Sequence, residues 1–143
     1  MRDASIWRGI TFKGGRANYT VLNIAMTSKL KLFRALPNVW EDASPAPEKI
    51  IKGAPIGFAN EVVNGGESGK LYCGIWRAEI GAWRVSYSEW EYCYITKGRT
   101  KISENGGAEI EVCAGDAFTI DAGFEGVWEV LEPMEKHYVI LLP

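Results

Sequence analysis

Histidine is nearly absent from this sequence: 143 residues contain one, His137. A metal site drawing two or three imidazoles from a single chain is therefore excluded. Cysteine is scarce and odd in number. Cys73, Cys93 and Cys113 stand twenty residues apart, with no CxxC pair. That spacing suggests neither a disulfide framework nor a zinc knuckle. It predicts small buried hydrophobes in a reducing compartment, the cytoplasm. Long apolar runs are missing too. The longest aliphatic stretch is Val139–Leu142, far short of the ~18 residues of a membrane span. The amino-terminal region lacks the apolar stretch of a secretory signal. No helical period persists, and no glycine-rich loop precedes a helix in the manner of a phosphate site.

What is present is ordinary globular composition, with 47% apolar and 24% charged residues. The length suits one domain with a core that needs no covalent staples. Charge is unevenly placed. Residues 1–34 carry seven basic groups and one acid, a net of +6, whereas residues 35–143 carry a net of −8. The acidic body should repel nucleic-acid phosphates. Three readings of the basic start are open: an over-extended or dispensable beginning before Met26, an ordered extra strand, or a targeting segment. The expected organisation is a basic extension over residues 1–25, amino-terminal strands and a connector over 26–69, and a barrel over 70–143.

Apolar and polar residues alternate over short stretches punctuated by Gly, Asn and Asp, which is the signature of strands. Pro37, Pro45, Pro47 and Pro55 interrupt regular structure in residues 35–60. Predicted strands are Leu71–Ile80, Ala82–Ser86, Tyr92–Thr96, Arg99–Ser103, Ala108–Val112, Ala117–Ile120, Gly126–Leu131 and His137–Leu142. Asn105-Gly106 marks a tight hairpin. Strands at this spacing predict an all-β antiparallel sandwich or barrel.

A family resemblance rests on residues 91–133. A glutamate, six residues and a glycine occur as Glu91 through Gly98, a Gly-Asp pair as Gly115-Asp116, and a turn as Asp121-Ala122-Gly123. This order and spacing resemble the two motifs of the RmlC-like cupin superfamily. Cys93-Tyr94, Trp128-x-Val130-x-Glu132-Pro133 and Lys136-His137-Tyr138 are similar to the small single-domain DUF861 group, related to the cupin domain of ureidoglycine aminohydrolase. The resemblance implies an antiparallel double-stranded β-helix, the cupin jelly roll, whose interior can hold a small ligand.

The resemblance also implies where metal ligands would stand, and there the sequence departs. The two histidine positions before the glutamate hold Arg84 and Ser86, or Val85 and Tyr87 with the alternative spacing. The third holds Gly126. Of four ligands only Glu91 is kept, and one carboxylate does not make a transition-metal site. No metal or other cofactor is therefore expected; a divalent Mn, Fe, Ni or Zn ion is the alternative.

Strand alternation turns Glu89, Glu91, Cys93 and Ile95 to one face, and Gly126, Trp128 and Val130 to another inward face. Glu91 is the sharpest candidate for catalysis, as a carboxylate in an apolar interior. Its bland alternative is a buried glutamate bonded to a tyrosine, a tryptophan or Arg84. Arg84, Tyr87, Glu91, Cys93 and Trp128 form the expected ligand pocket, with Arg84 as a clamp for a carboxylate. Glu89 is expected at an exposed rim. Cys93 and His137 form a weak nucleophile–base candidate.

The main expectation is a metal-independent cupin that binds a small molecule. The alternatives are a metal-assisted hydrolase acting on a ureido or amino-acid-like compound, which needs Glu91, Cys93, Tyr87 and His137 to converge, and a non-catalytic accessory or assembly protein. The expected partners are a small molecule and a second copy of the chain, with Tyr92 and Tyr94 as interface material; no nucleic acid and no membrane is expected.

Overall fold

The computed structural model describes residues 29–143. The predicted basic extension over residues 1–25 lies outside them. The described residues form nine strands: β1 (Glu41–Asp42), β2 (Ile50–Gly53), β3 (Gly57–Gly65), β4 (Leu71–Ala78), β5 (Gly81–Ser86), β6 (Trp90–Glu104), β7 (Glu109–Cys113), β8 (Ala117–Ile120) and β9 (Glu125–Leu141). Among the described residues there is no α-helix, only 3-10 turns at Phe33–Ala35 and Pro47–Lys49. No helix there is long and apolar enough to cross a membrane.

The pairing resolves into bent antiparallel ribbons laid side by side. β9 is the spine. Along one edge it pairs with β4 (Leu71↔Leu141 to Ala78↔Met134) and then with β5 (Gly81↔Val130 to Ser86↔Glu125). Along its other edge it pairs with β6 from Trp90↔Leu141 to Glu104↔Gly126. Outside β6 lie β7 and β8; outside β4 and β5 lie β3 and β2. Each ribbon breaks near its middle, so the sheet curls around a core instead of lying flat. This is the expected all-β antiparallel fold, a cupin-type jelly-roll barrel.

Two expected strand breaks are absent. Tyr92–Thr96 and Arg99–Ser103 are one strand, β6, and Gly126–Leu131 and His137–Leu142 are one strand, β9. Lys97-Gly98 and Pro133 read as terminators, but they face each other across the same irregularity. The β6–β9 register shifts between Ile95 and Thr100. Gly98 takes a φ of +77°, and a side chain there would collide with the Pro133 carbonyl. A bulge thus accommodates both the proline and the glycine without ending the ladder.

Alternation holds on either side of that bulge. Cys93 and Ile95 are fully buried, while Trp90, Tyr92 and Tyr94 are about one-third exposed. Past the bulge the buried positions become Thr100 and Ile102, so the inserted residue changes the parity of the pleat. On β9 the inward set is Trp128, Val130, Met134, Tyr138 and Ile140. Trp76, Trp83 and Tyr87 complete the core from β4, β5 and the turn after it.

Candidate functional site

Lys136 follows the same inward phase of β9, between Met134 and Tyr138. Its side chain is buried, and its Nζ donates to Glu91 Oε1 at 2.6 Å. The ammonium also lies 3.6 Å from Cys93 Sγ. Two indoles flank it, with ring centres at 4.5 Å (Trp128) and 5.1 Å (Trp76). Trp76 in turn packs edge-on against Trp83 and Trp128. A charged pair removed from water costs several kcal/mol per ion unless short hydrogen bonds and nearby dipoles compensate. Here the carboxylate and two aromatic faces meet the ammonium.

The fate of each expected site residue follows from these positions. Glu91, Cys93 and Trp128 are brought together around Lys136. Tyr87 is buried in the turn after β5, its ring edge-on to Phe124 at 5.9 Å. Arg84 is a correction. It is exposed on β5 between the buried Trp83 and the half-buried Val85, and the two-residue period points it outward, so it neither neutralises Glu91 nor faces the interior. Glu89 is a second correction. It is buried, not at the rim, and its Oε2 accepts from the Ser88 backbone N–H at 3.0 Å and the Ser88 hydroxyl at 3.3 Å. Cys93 and His137 do not meet. His137 is on the outward phase of β9, with Phe33 at 4.8 Å and Tyr94 at 6.3 Å between ring centres.

Sequence reasoning missed Lys136. The signal was available: with Gly126, Trp128 and Val130 inward on an uninterrupted strand, Lys136 shares their phase. Splitting the strand at Pro133 hid it, and the neighbouring lone histidine drew attention instead. Glu61 was missed as well. It accepts from the Tyr138 hydroxyl at 3.0 Å. Burial pushes its carboxyl up to about 7; the Tyr138 hydrogen bond opposes this and the charge of Glu41 adds to it.

The donor set does not fit a transition metal. No group of three or more His, Cys, Asp or Glu side chains among the described residues could hold an ion. Glu91 already faces the Lys136 ammonium. Gly126, where the family pattern calls for an imidazole, is packed so closely that a side chain there would collide with the Ser103 carbonyl and press on the Phe124 ring. No step through a metal is derived for this chain.

A cleft of about 430 Å³ opens elsewhere, between β6, β7, β8 and the 121–124 turn. Its apolar wall is Ile102, Ile110, Phe118, Ile120 and Phe124, and Glu104 and Asp121 also line it. None of the five residues expected to form the pocket lines this cleft. The connection to the buried pair runs through Trp128, whose ring centre is 6.1 Å from that of Phe118. Trp128 Nε1 is buried without a hydrogen-bond partner, an unusual state for an indole N–H.

Comparison with known proteins now bears on this architecture. The EutQ-like cupin domain family matches residues 65–138. The chain is an EutQ-like cupin. Among solved structures, EutQ from Clostridium difficile aligns with a TM-score of 0.56 at 18% identity, covering 62% of this chain and 64% of that one. A DUF861-family protein of unknown function from Pseudomonas syringae pv. tomato aligns at 0.65 and 20% identity, covering 73% and 46%. The cupin domain of Schizosaccharomyces pombe Cnp3 aligns at 0.53 and 10% identity, covering 61% and 65%. This cupin thus spans less than two thirds of each of these proteins, and at such identities the likeness is one of fold. No curated protein matches the chain.

Proposed function

We propose that this cupin binds a small organic molecule without a metal, seated in the cleft bounded by Ile102, Phe118, Ile120 and Phe124. The observation that carries the reading is the cleft itself. Its volume suits a small-molecule site, its wall combines apolar side chains with a few polar ones, and it borders the aromatic core through Phe118 and Trp128. The Lys136–Glu91 pair is the electrostatic core of the barrel in this reading. Its charges satisfy each other, so it positions Trp128 and does not itself bind the ligand.

Three further parts of the reading have their own supports. The free cysteines favour a reducing compartment such as the cytoplasm. The exposed Trp90, Tyr92, Tyr94 and Leu141 on adjacent strands favour a homodimer. The tie to ureidoglycine aminohydrolase rests on sequence motifs alone, and the outward His137 removes one of the four groups that a hydrolase site needed. The test is a titration of the ¹⁵N-labelled chain with a panel of small aromatic compounds. Binding in the cleft is expected to shift the Phe118 and Ile120 amides and the Trp128 indole resonance, and Phe118→Ala to weaken it. Shifts confined to other regions would place the site elsewhere.

A further inference from the structure

The charge around the cleft is one-sided. From Glu104 to Gly126 the chain carries six acidic residues and no Lys, Arg or His. Three of the six are engaged. Glu111 meets Arg99 at 2.7 Å; Glu109 meets Lys101 at 3.8 Å and the Ser103 hydroxyl at 3.0 Å; Asp116 accepts from the Cys113 backbone N–H at 2.8 Å. Glu104 and Asp121 line the cleft, and neither is ion-paired among the described residues. The cations nearest on β6, Arg99 and Lys101, are on the outward phase and are held by Glu111, Glu132, Glu109 and Glu129.

Resting on the reading above, we infer that the cleft takes an organic cation: an ammonium group on an apolar, preferably aromatic, body. The walls match that chemistry part for part. Ile102 and Ile120 accept the apolar body, and the rings of Phe118 and Phe124 line the same wall, where aromatic π-systems attract a cation and would not favour an anion. Glu104 and Asp121 accept hydrogen bonds from an ammonium and repel a carboxylate or phosphate. A bare metal ion is a poor match, since no third His, Cys, Asp or Glu among the described residues joins the two carboxylates.

Three near-isosteric probes separate this inference from the reading beneath it: 2-phenylethylamine, 2-phenylethanol and 3-phenylpropanoate. Each is titrated into the ¹⁵N-labelled full chain at neutral pH and low salt, following the Phe118 and Ile120 amides. The amine is expected to bind about tenfold more tightly than the alcohol, a gain typical of one cation–π contact plus partly exposed ion pairs. The carboxylate is expected to bind most weakly. In the double variant Glu104→Gln/Asp121→Asn the amine should fall to the level of the alcohol, while the alcohol's own affinity stays unchanged. Equal or tighter binding of the alcohol or carboxylate overturns the cation inference and leaves the small-molecule reading standing. If none of the three moves those amides, both fall. Unchanged spectral dispersion of the double variant shows that it is folded, and single variants at each position, each losing part of the preference, serve if it is not.

Discussion

Lys136 and Glu91 form a buried ion pair, 2.6 Å between Nζ and Oε1, at the point where the two long strands β6 and β9 face the tryptophan-rich core. Glu91 is the one residue kept from the metal-ligand pattern of the wider family. Its counter-charge here is a lysine carried on the neighbouring strand. The carboxylate therefore has a structural reason to be present that requires no ion.

Breaking that pair on one side should be costly. Glu91→Gln or Lys136→Met strands the surviving charge in the interior, and each is expected to lose about 3–5 kcal/mol in urea denaturation. Glu91→Leu/Lys136→Met leaves no charge behind and should recover most of the loss. Additive losses in the double variant would mean that the pair does not act as a unit.

The fold was legible because β-strand periodicity is local. Tyr92–Thr96 shows its alternation without any knowledge of its neighbours, and the inward phase of Glu91, Cys93 and Ile95 follows directly. Lys136 was not legible for the opposite reason. Its partner is 45 residues away, and its phase is visible only once β9 is known to run unbroken through Pro133, which depends on a bulge in the facing strand. The cleft was illegible on the same ground. Phe118, Ile102 and Phe124 come from three separate segments and carry no motif. Glu89 failed differently: the pleat predicted its inward face, but a carboxylate was assigned to the rim without its Ser88 donors in view.

Glu61 should give the protein a pH-dependent stability that falls as pH rises. In the unfolded chain its carboxyl loses its proton near 4.5, whereas in the fold burial holds that proton until about 7. The fold therefore binds the proton more tightly, and Glu61's contribution is complete below 4.5 and is lost as pH rises through about 7. Tyr138, Glu41, Asn64 and Cys73 are the groups that act on or feel this carboxyl. His137 works the other way, because burial lowers its imidazole below 6.5, so its stabilisation is lost as pH falls through that lowered value. The clean measurement is the difference between the wild type and Glu61→Gln, which keeps an acceptor for the Tyr138 hydroxyl. Urea midpoints of the two should converge in acid and separate above neutral pH, with the variant the more stable.

The three thiols should react in a fixed order with a maleimide. Cys113 is exposed, Cys73 half-buried and Cys93 buried, so Cys113 labels first and Cys93 only on unfolding. Both accessible thiols are slowed, Cys113 chiefly by the negative charge of Asp116 and Cys73 chiefly by burial, each of which disfavours the thiolate. Asp116→Asn should therefore quicken Cys113 and leave Cys73 unchanged. Mass spectrometry of timed samples reads the order. Early labelling of Cys93 would show that the interior around Lys136 opens on the timescale of the reaction.

Gly126 bears most directly on metal chemistry, because its position is where the wider family places an imidazole. A side chain there meets the Ser103 carbonyl across the β6–β9 ladder and, at 3.0 Å, the edge of the Phe124 ring. Backbone on a paired strand cannot rotate away as a flexible side chain can. Gly126→Ala is accordingly expected to cost about 2 kcal/mol or more. Restoring family ligands at the inward alternative position and at 126, as Tyr87→His/Gly126→His, should then fail twice over: the histidine at 126 distorts the ladder, and Glu91 stays paired with Lys136. The expected outcome is a destabilised protein whose melting temperature does not respond to nickel or zinc, and whose wild-type parent carries no stoichiometric metal and is indifferent to chelator. Adding Lys136→Met to the double variant separates the two obstacles. Metal-dependent stabilisation of that triple variant alone would show that the lysine, and not the crowding at Gly126, keeps the ion out; stabilisation of the double variant already would show that neither does.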